Sequence, residues 1–139
     1  PIAYYQELAG KLIVAGYQVW VFGSEKERAI GEQIEQAGKG VFNLCGKTHL
    51  IDVIDLIALC DSVVSNDSGL MHIACATGTK VIAIYGSSDP AYTPPLSNRA
   101  QVIYMGLECS PCFKRECPFG HYRCLKEVKV NKLANQIVV

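Results

Sequence analysis

The chain of 139 residues has no surplus charge of either sign, because thirteen Lys and Arg balance thirteen Asp and Glu. That balance argues against a broad nucleic-acid footprint, which needs a basic surface to displace counterions from phosphates. No apolar run approaches the roughly 20 residues that a membrane-spanning helix requires, and the first residues have no signal-peptide layout. Local basic patches can still touch a membrane surface. Internal repeats and low-complexity segments are also missing. The rest is ordinary for one globular domain: half the residues are apolar and 19% charged, enough for a single sizeable core.

Cysteine, by contrast, is plentiful, with seven in the chain. Cys45, Cys60 and Cys75 lie in apolar or helical settings and read as small buried hydrophobes. The odd total, the burial and the lack of a leader predict a reducing, cytoplasmic home rather than a disulfide scaffold. Cys109, Cys112, Cys117 and Cys124, separated by two, four and six residues with His121 among them, are different. Such a set can hold structural zinc, nucleate an iron–sulfur cluster, form two disulfides or stay reduced. Lys114, Arg115, His121 and Arg123 make the same loop basic, which suits a phosphorylated sugar, a membrane surface or plain solvent.

Apolar periodicity predicts a helix over residues 1–15, with Ile2, Tyr5, Leu8, Leu12 and Ala15 on one side and Gly16 ending it. A strand follows over residues 18–23, then a polar helix from Ser24 or Glu25 to about Ala37, closed by Gly38 or Gly40. Val41 to Leu44 reads as a strand. Leu50 to Leu59 reads as a helix with Ile54, Ile57 and Ala58 inward. The central unit is the apolar run Ser62-Val63-Val64, a polar turn, a helix from about Gly69 to Thr77, and a strand from Val81 to Tyr85. Residues 101–105 predict a last strand, and 130–139 a closing helix with Leu133 and Ile137 inward. Alternating strands and helices imply an α/β fold: one Rossmann-like parallel sheet with helices on both faces.

Polar or glycine-bearing loops end four of these strands, at Gly23-Ser24-Glu25-Lys26, Gly46-Lys47-Thr48, Ser65 to Gly69, and Gly86-Ser87-Ser88-Asp89. In an open α/β sheet such loops share one edge, where ligands bind. The loop before the 69–77 helix is the most telling. Asp67 or Ser68 is a good N-cap and Gly78 suits a left-handed stop. A helix start just past a strand is an anion site, since free amides and the positive dipole end converge there. Gly69 admits a ligand to the backbone, and His72 sits one turn in.

The run Asn66-Asp67-Ser68-Gly69-Leu70-Met71-His72, then Tyr85-Gly86-Ser87-Ser88-Asp89-Pro90 and Thr93-Pro94-Pro95-Leu96-Ser97, closely resembles the lipopolysaccharide heptosyltransferases of glycosyltransferase family 9. The likeness is strongest to the members acting second in that pathway. It runs from about Tyr17 through Ser97 and more loosely to the C-terminus. Resemblance implies two Rossmann-like domains in a GT-B arrangement. This chain corresponds to the C-terminal, donor-binding domain over residues 1–139, and the N-terminal acceptor domain lies outside it. The implied reaction moves heptose from ADP-L-glycero-D-manno-heptose to a heptosylated Kdo–lipid A acceptor at the membrane surface, without metal for the transfer. The location implied is cytoplasmic, peripheral to the inner membrane.

A sugar nucleotide wants helix-end amides and a cation for its diphosphate, a carboxylate for its ribose and an apolar slot for its base. Asp67, Ser68, Gly69 and His72 suit the first need, with Lys47 adding charge. Gly86 with the Ser87 or Ser88 hydroxyl reaches the sugar or phosphate, and Glu25 or Glu27 accepts from the ribose. Family likeness puts the general base in the other domain, so no residue here is expected to be catalytic and this portion alone is expected to transfer nothing. Two other readings stand beside this one: a relative with another acceptor, and a non-catalytic zinc- or redox-binding module.

Overall fold

The computed structural model describes residues 1–138. In chain order it contains α1 (Ile2–Val14), β1 (Val19–Val21), a 3-10 turn (Glu25–Glu27), α2 (Arg28–Glu35), β2 (Val41–Asn43), α3 (Leu50–Leu59), β3 (Ser62–Asn66), α4 (Gly69–Ala76), β4 (Lys80–Tyr85), β5 (Ala100–Tyr104), α5 (Arg123–Lys126) and α6 (Val130–Ile137). Two compact units make up the chain: residues 1–53 with the segment from Lys129 onward, and Ile54–Val128.

In the first unit α1 packs against α2 and α6. Ala9, Ile34 and Val41 form its buried centre, with Ile2, Tyr5, Ile13, Val19, Val21 and Ala37 around them. The short strands β1 and β2 run parallel, with Val19 opposite Val41 and Val21 opposite Asn43. Helix α6 buries Val130, Leu133, Ala134 and Ile137, the i, i+3, i+4, i+7 stripe of an amphipathic helix. The polar helix expected from residue 24 opens differently. Its first turn is 3-10, and regular α geometry begins only at Arg28. The cause is local: the Glu27 carboxylate accepts from the Ser24 amide at 2.6 Å, drawing the turn tight.

Strands β3, β4 and β5 form the parallel sheet of the second unit, with β4 in the middle. Residues 81–85 of β4 are all buried, as a central strand covered on both faces requires. Helix α4 packs on β3 and β4 through Met71, Ala74 and Cys75. Gly78 takes φ +77° just past α4, the left-handed stop that glycine adopts without a Cβ clash. Entry into β4 is held by Thr79, only 4% exposed, whose hydroxyl donates to the Ile57 carbonyl at 2.9 Å. Thr79→Val is therefore expected to lower stability by about 1 kcal/mol, since this bond is lost while the Ile57 carbonyl keeps the Cys60 amide; a denaturant titration reads this.

Three expectations are corrected. The strands form two parallel sheets, one per unit. The loops after β1 and β2 thus belong to the first unit and those after β3 and β4 to the second. In α3 the buried positions are Val53 and Ile57, while Ile54 is 39% exposed and Ala58 also faces solvent. A helix as apolar as Leu50–Leu59 offers several stripes at helical spacing, and periodicity found Ile57 but took Ile54 and Ala58 in place of Val53. Cys60 is half-buried, unlike Cys45 and Cys75, and its thiol donates to the Leu56 carbonyl at 3.3 Å.

Candidate functional site

In the second unit, β3 delivers the chain to a turn that α4 leaves at once. The Asp67 amide donates to the Ile84 carbonyl at 3.2 Å, extending the β3–β4 ladder by one bond. Ser68 follows in extended geometry (φ −156°, ψ 168°) as the N-cap. The expected cap bond is not made. The Ser68 hydroxyl meets Ser65 Oγ at 3.1 Å and makes no cap bond to α4. The first amides of a helix have no intrahelical acceptor, so without a capping oxygen they stay available to an anion. Around Gly69 a Cβ would find no neighbour within 4 Å. The approach is open.

The Asp67 carboxylate, which would repel such an anion, is tied elsewhere. Oδ2 accepts from Thr93 Oγ1 at 2.9 Å, and Oδ1 lies 3.9 Å from His72 Nε2. His72 is 45% exposed and Asp67 19%, so the imidazole faces outward while the carboxylate is shielded. Thr93 is in turn gripped from below, where Tyr85 Oη donates to its carbonyl at 2.6 Å. Burial pushes the Tyr85 phenol up to about 12, with the Asp67 charge adding to the effect. Thr93 is the positioning residue that sequence reasoning passed over. It stands in the Thr93-Pro94-Pro95 run, so a signal was present, but nothing local tied it to Asp67 twenty-six positions earlier.

Gly86 and Ser87, after β4, have a structural explanation. A methyl on Gly86 would come within 2.8 Å of Leu125 Cδ2, so a larger residue here makes the Leu125 side chain shift. The Ser87 carbonyl accepts from the Phe113 amide at 2.8 Å, which binds the cysteine-bearing loop to this turn. Asp89 Oδ1 accepts from the Ala91 amide at 2.8 Å and shapes the bend toward Thr93.

The first unit carries the other two expected positions. Glu25 Oε1 accepts from Arg28 Nη1 at 3.2 Å and remains 67% exposed. Its neighbour Glu27 is occupied by the Ser24 hydroxyl and amide, which hold its carboxyl below the usual range. Both contacts use Glu27 Oε2, so each glutamate bonds through one oxygen. The Gly46 amide donates to the Gly23 carbonyl at 3.0 Å, and a Cβ on Gly46 would collide with Glu25. The structure therefore sets the Gly46–Lys47 turn directly against Glu25, with Lys47 exposed beside it.

The four distal cysteines are free thiols, each half-buried, lining one cavity of about 70 Å³. Among the described residues no three His, Cys, Asp or Glu side chains converge in a way that would hold a metal ion. Cys117 Sγ lies 3.8 Å from His121 Nδ1, which also accepts from the Arg123 amide at 3.1 Å. Backbone amides of Phe119 to Tyr122 turn toward the Cys117 sulfur and pull its thiol below the ordinary range. Burial pushes the Cys124 thiol the other way, helped by its three neighbours.

Residues 1–123 match the model of glycosyltransferase family 9 (heptosyltransferase). Over 74% of its length the chain is 50% identical to lipooligosaccharide heptosyltransferase 2 of Haemophilus influenzae, covering 31% of that protein. Over 99% it is 37% identical to lipopolysaccharide heptosyltransferase 2 of Escherichia coli, covering 41%. The solved structure of E. coli ADP-heptose LPS heptosyltransferase II superposes with a TM-score of 0.84 at 38% identity, over 98% of this chain and 40% of that one. A glycosyltransferase family 9 protein from Veillonella parvula shares the fold at TM-score 0.80 and 22% identity, over 99% of this chain and 41% of that one. The chain thus spans about two fifths or less of the proteins it matches. An uncapped helix start after a parallel strand, a shielded aspartate behind it and a family match over nearly the whole length agree: this chain belongs to glycosyltransferase family 9, the heptosyltransferases.

Proposed function

We propose that this chain is the donor-binding portion of a heptosyltransferase that moves heptose from ADP-heptose onto the inner core of a lipopolysaccharide. The observation carrying this reading is the open start of α4. Ser68 does not cap it, Gly69 leaves the approach clear, and Asp67 is turned aside onto Thr93 and His72. The pyrophosphate accepts from the first-turn amides, with the positive end of the helix behind them. His72 Nε2 swings from Asp67 to a phosphate oxygen. In the transition state charge grows on the leaving diphosphate, and donors already aimed at it are worth most at that moment. Beyond β4, the Ser87 or Ser88 hydroxyl reaches the sugar.

The acceptor site and the base that activates the attacking hydroxyl belong to the part of the relatives that this chain does not span. The full protein works at the cytoplasmic face of the inner membrane, where its acceptor is lipid-borne. Transfer proceeds without a metal, and no cofactor is needed.

Calorimetric titration with ADP tests the reading. The chain is expected to bind ADP weakly and to transfer no heptose alone. His72→Ala is expected to weaken binding about tenfold, roughly 1.4 kcal/mol, at unchanged thermal stability, because the imidazole is exposed. An absence of ADP binding, or an unchanged affinity in the variant, removes α4 as the pyrophosphate site.

A further inference from the structure

We propose that the 109–124 loop is a reversible thiol-oxidation site, in which Cys117 reacts with hydrogen peroxide and closes a disulfide to a second thiol of the same cavity. Three observations carry this. First, Cys109, Cys112, Cys117 and Cys124 line one cavity of about 70 Å³, so a sulfur oxidised there meets others without the core opening. Cys45 and Cys75, 1% and 8% exposed, have no such access. Second, Cys117 Sγ lies 3.8 Å from His121 Nδ1, and Lys114 and Arg115 line the same wall. Thiols in such surroundings are the ones that react. Third, the loop between β5 and α5 lies at the surface. Phe113 and Phe119 are 60% and 68% exposed, and Phe113 and Tyr122 take the left-handed region at φ +53° and +51°. Bulky side chains pay strain in that region, so a cross-link can form without breaking a packed core.

The step balances as follows. The Cys117 sulfur attacks one peroxide oxygen, the O–O bond breaks, and hydroxide leaves to become water as it takes up the thiol proton. The sulfenic acid so formed is attacked by the second thiol, and its oxygen leaves as a second water. Two thiols have given up two electrons and two protons to one peroxide. A dithiol reductant reverses the cross-link.

The test uses the reduced, desalted chain, treated with hydrogen peroxide and then capped with a maleimide for mass analysis. Two of the seven cysteines are expected to be lost from labelling. A peptide map is expected to join Cys117 to Cys109, Cys112 or Cys124, with full recovery in dithiothreitol. Cys117→Ser is expected to slow thiol loss about tenfold, and Cys60→Ser to leave it unchanged. The proposal is overturned by full labelling after peroxide, by a link confined to Cys45, Cys60 or Cys75, or by Cys117→Ser oxidising at the parent rate. Elemental analysis finding one zinc per chain that protects the four thiols overturns it equally, since the cluster is then a metal site.

Discussion

Asn43→Ala is expected to lower the stability of the chain by about 3 kcal/mol, read as a drop in denaturant midpoint at unchanged slope. The side chain is 3% exposed at the end of β2. Its Nδ2 donates to the Arg28 carbonyl and its Oδ1 accepts from the Cys45 amide, both at 3.0 Å. Alanine removes both bonds and leaves the buried Cys45 amide without its acceptor, whereas the Arg28 carbonyl sits in the exposed first turn of α2. A second substitution makes the prediction sharper. Gly31, buried in α2, has no room for a methyl because the Asn43 carboxamide lies against it. Gly31→Ala alone is expected to destabilise by about 1–3 kcal/mol through overpacking, despite alanine's better helix propensity. In the Asn43→Ala background the obstacle is gone, so Gly31→Ala becomes neutral or stabilising. Such a cycle gives a coupling energy that no sum of single effects reproduces. Additive losses would show that the two residues do not share this contact.

Alkali is expected to unfold the second unit through Tyr85. Its phenol titrates near 10 in an unfolded chain, and burial raises it to about 12 in the fold. The group contributes its full stability below pH 10. Above that the unfolded chain releases a proton which the folded chain keeps, so stability falls as pH rises toward about 12. Two pH units correspond to roughly 3 kcal/mol. Tyr5, also pushed up to about 12 by burial, gives the first unit an alkaline limit of the same sign. Denaturant midpoints between pH 9 and about 12 check this, and Tyr85→Phe is expected to flatten much of the slope. The same variant costs about 1 kcal/mol at neutral pH, since the Thr93 carbonyl loses its donor. It also loosens Thr93 and hence Asp67. The alkaline limit and the order of the candidate anion site therefore share one hydroxyl.

Neighbouring residues along the chain determined the element types. Val81 to Tyr85 is apolar without interruption and can only be a strand covered on both sides. Gly78 carries the left-handed φ that ends α4, and Leu133 and Ile137 recur at the spacing of a buried helical stripe. The turn from Asn66 to His72 was legible for the same reason, because strand, polar turn and helix start are all local signals. Resemblance in that turn and in the Thr-Pro-Pro run carried the family.

Tertiary structure decided what each polar group does once the elements meet. Asp67 reads as a cap, yet its carboxylate is taken by Thr93 from another loop, and that choice leaves the start of α4 open. Gly86 reads as part of a sugar- or phosphate-binding loop, yet its open side is packed by Leu125. The inward position of Val53 in α3 and the short 3-10 opening of α2 were equally beyond reach. Hydrophobic spacing follows from one stretch of chain alone, whereas a hydrogen bond goes to whichever partner the fold brings within 3 Å, and that partner can be any distance away in sequence.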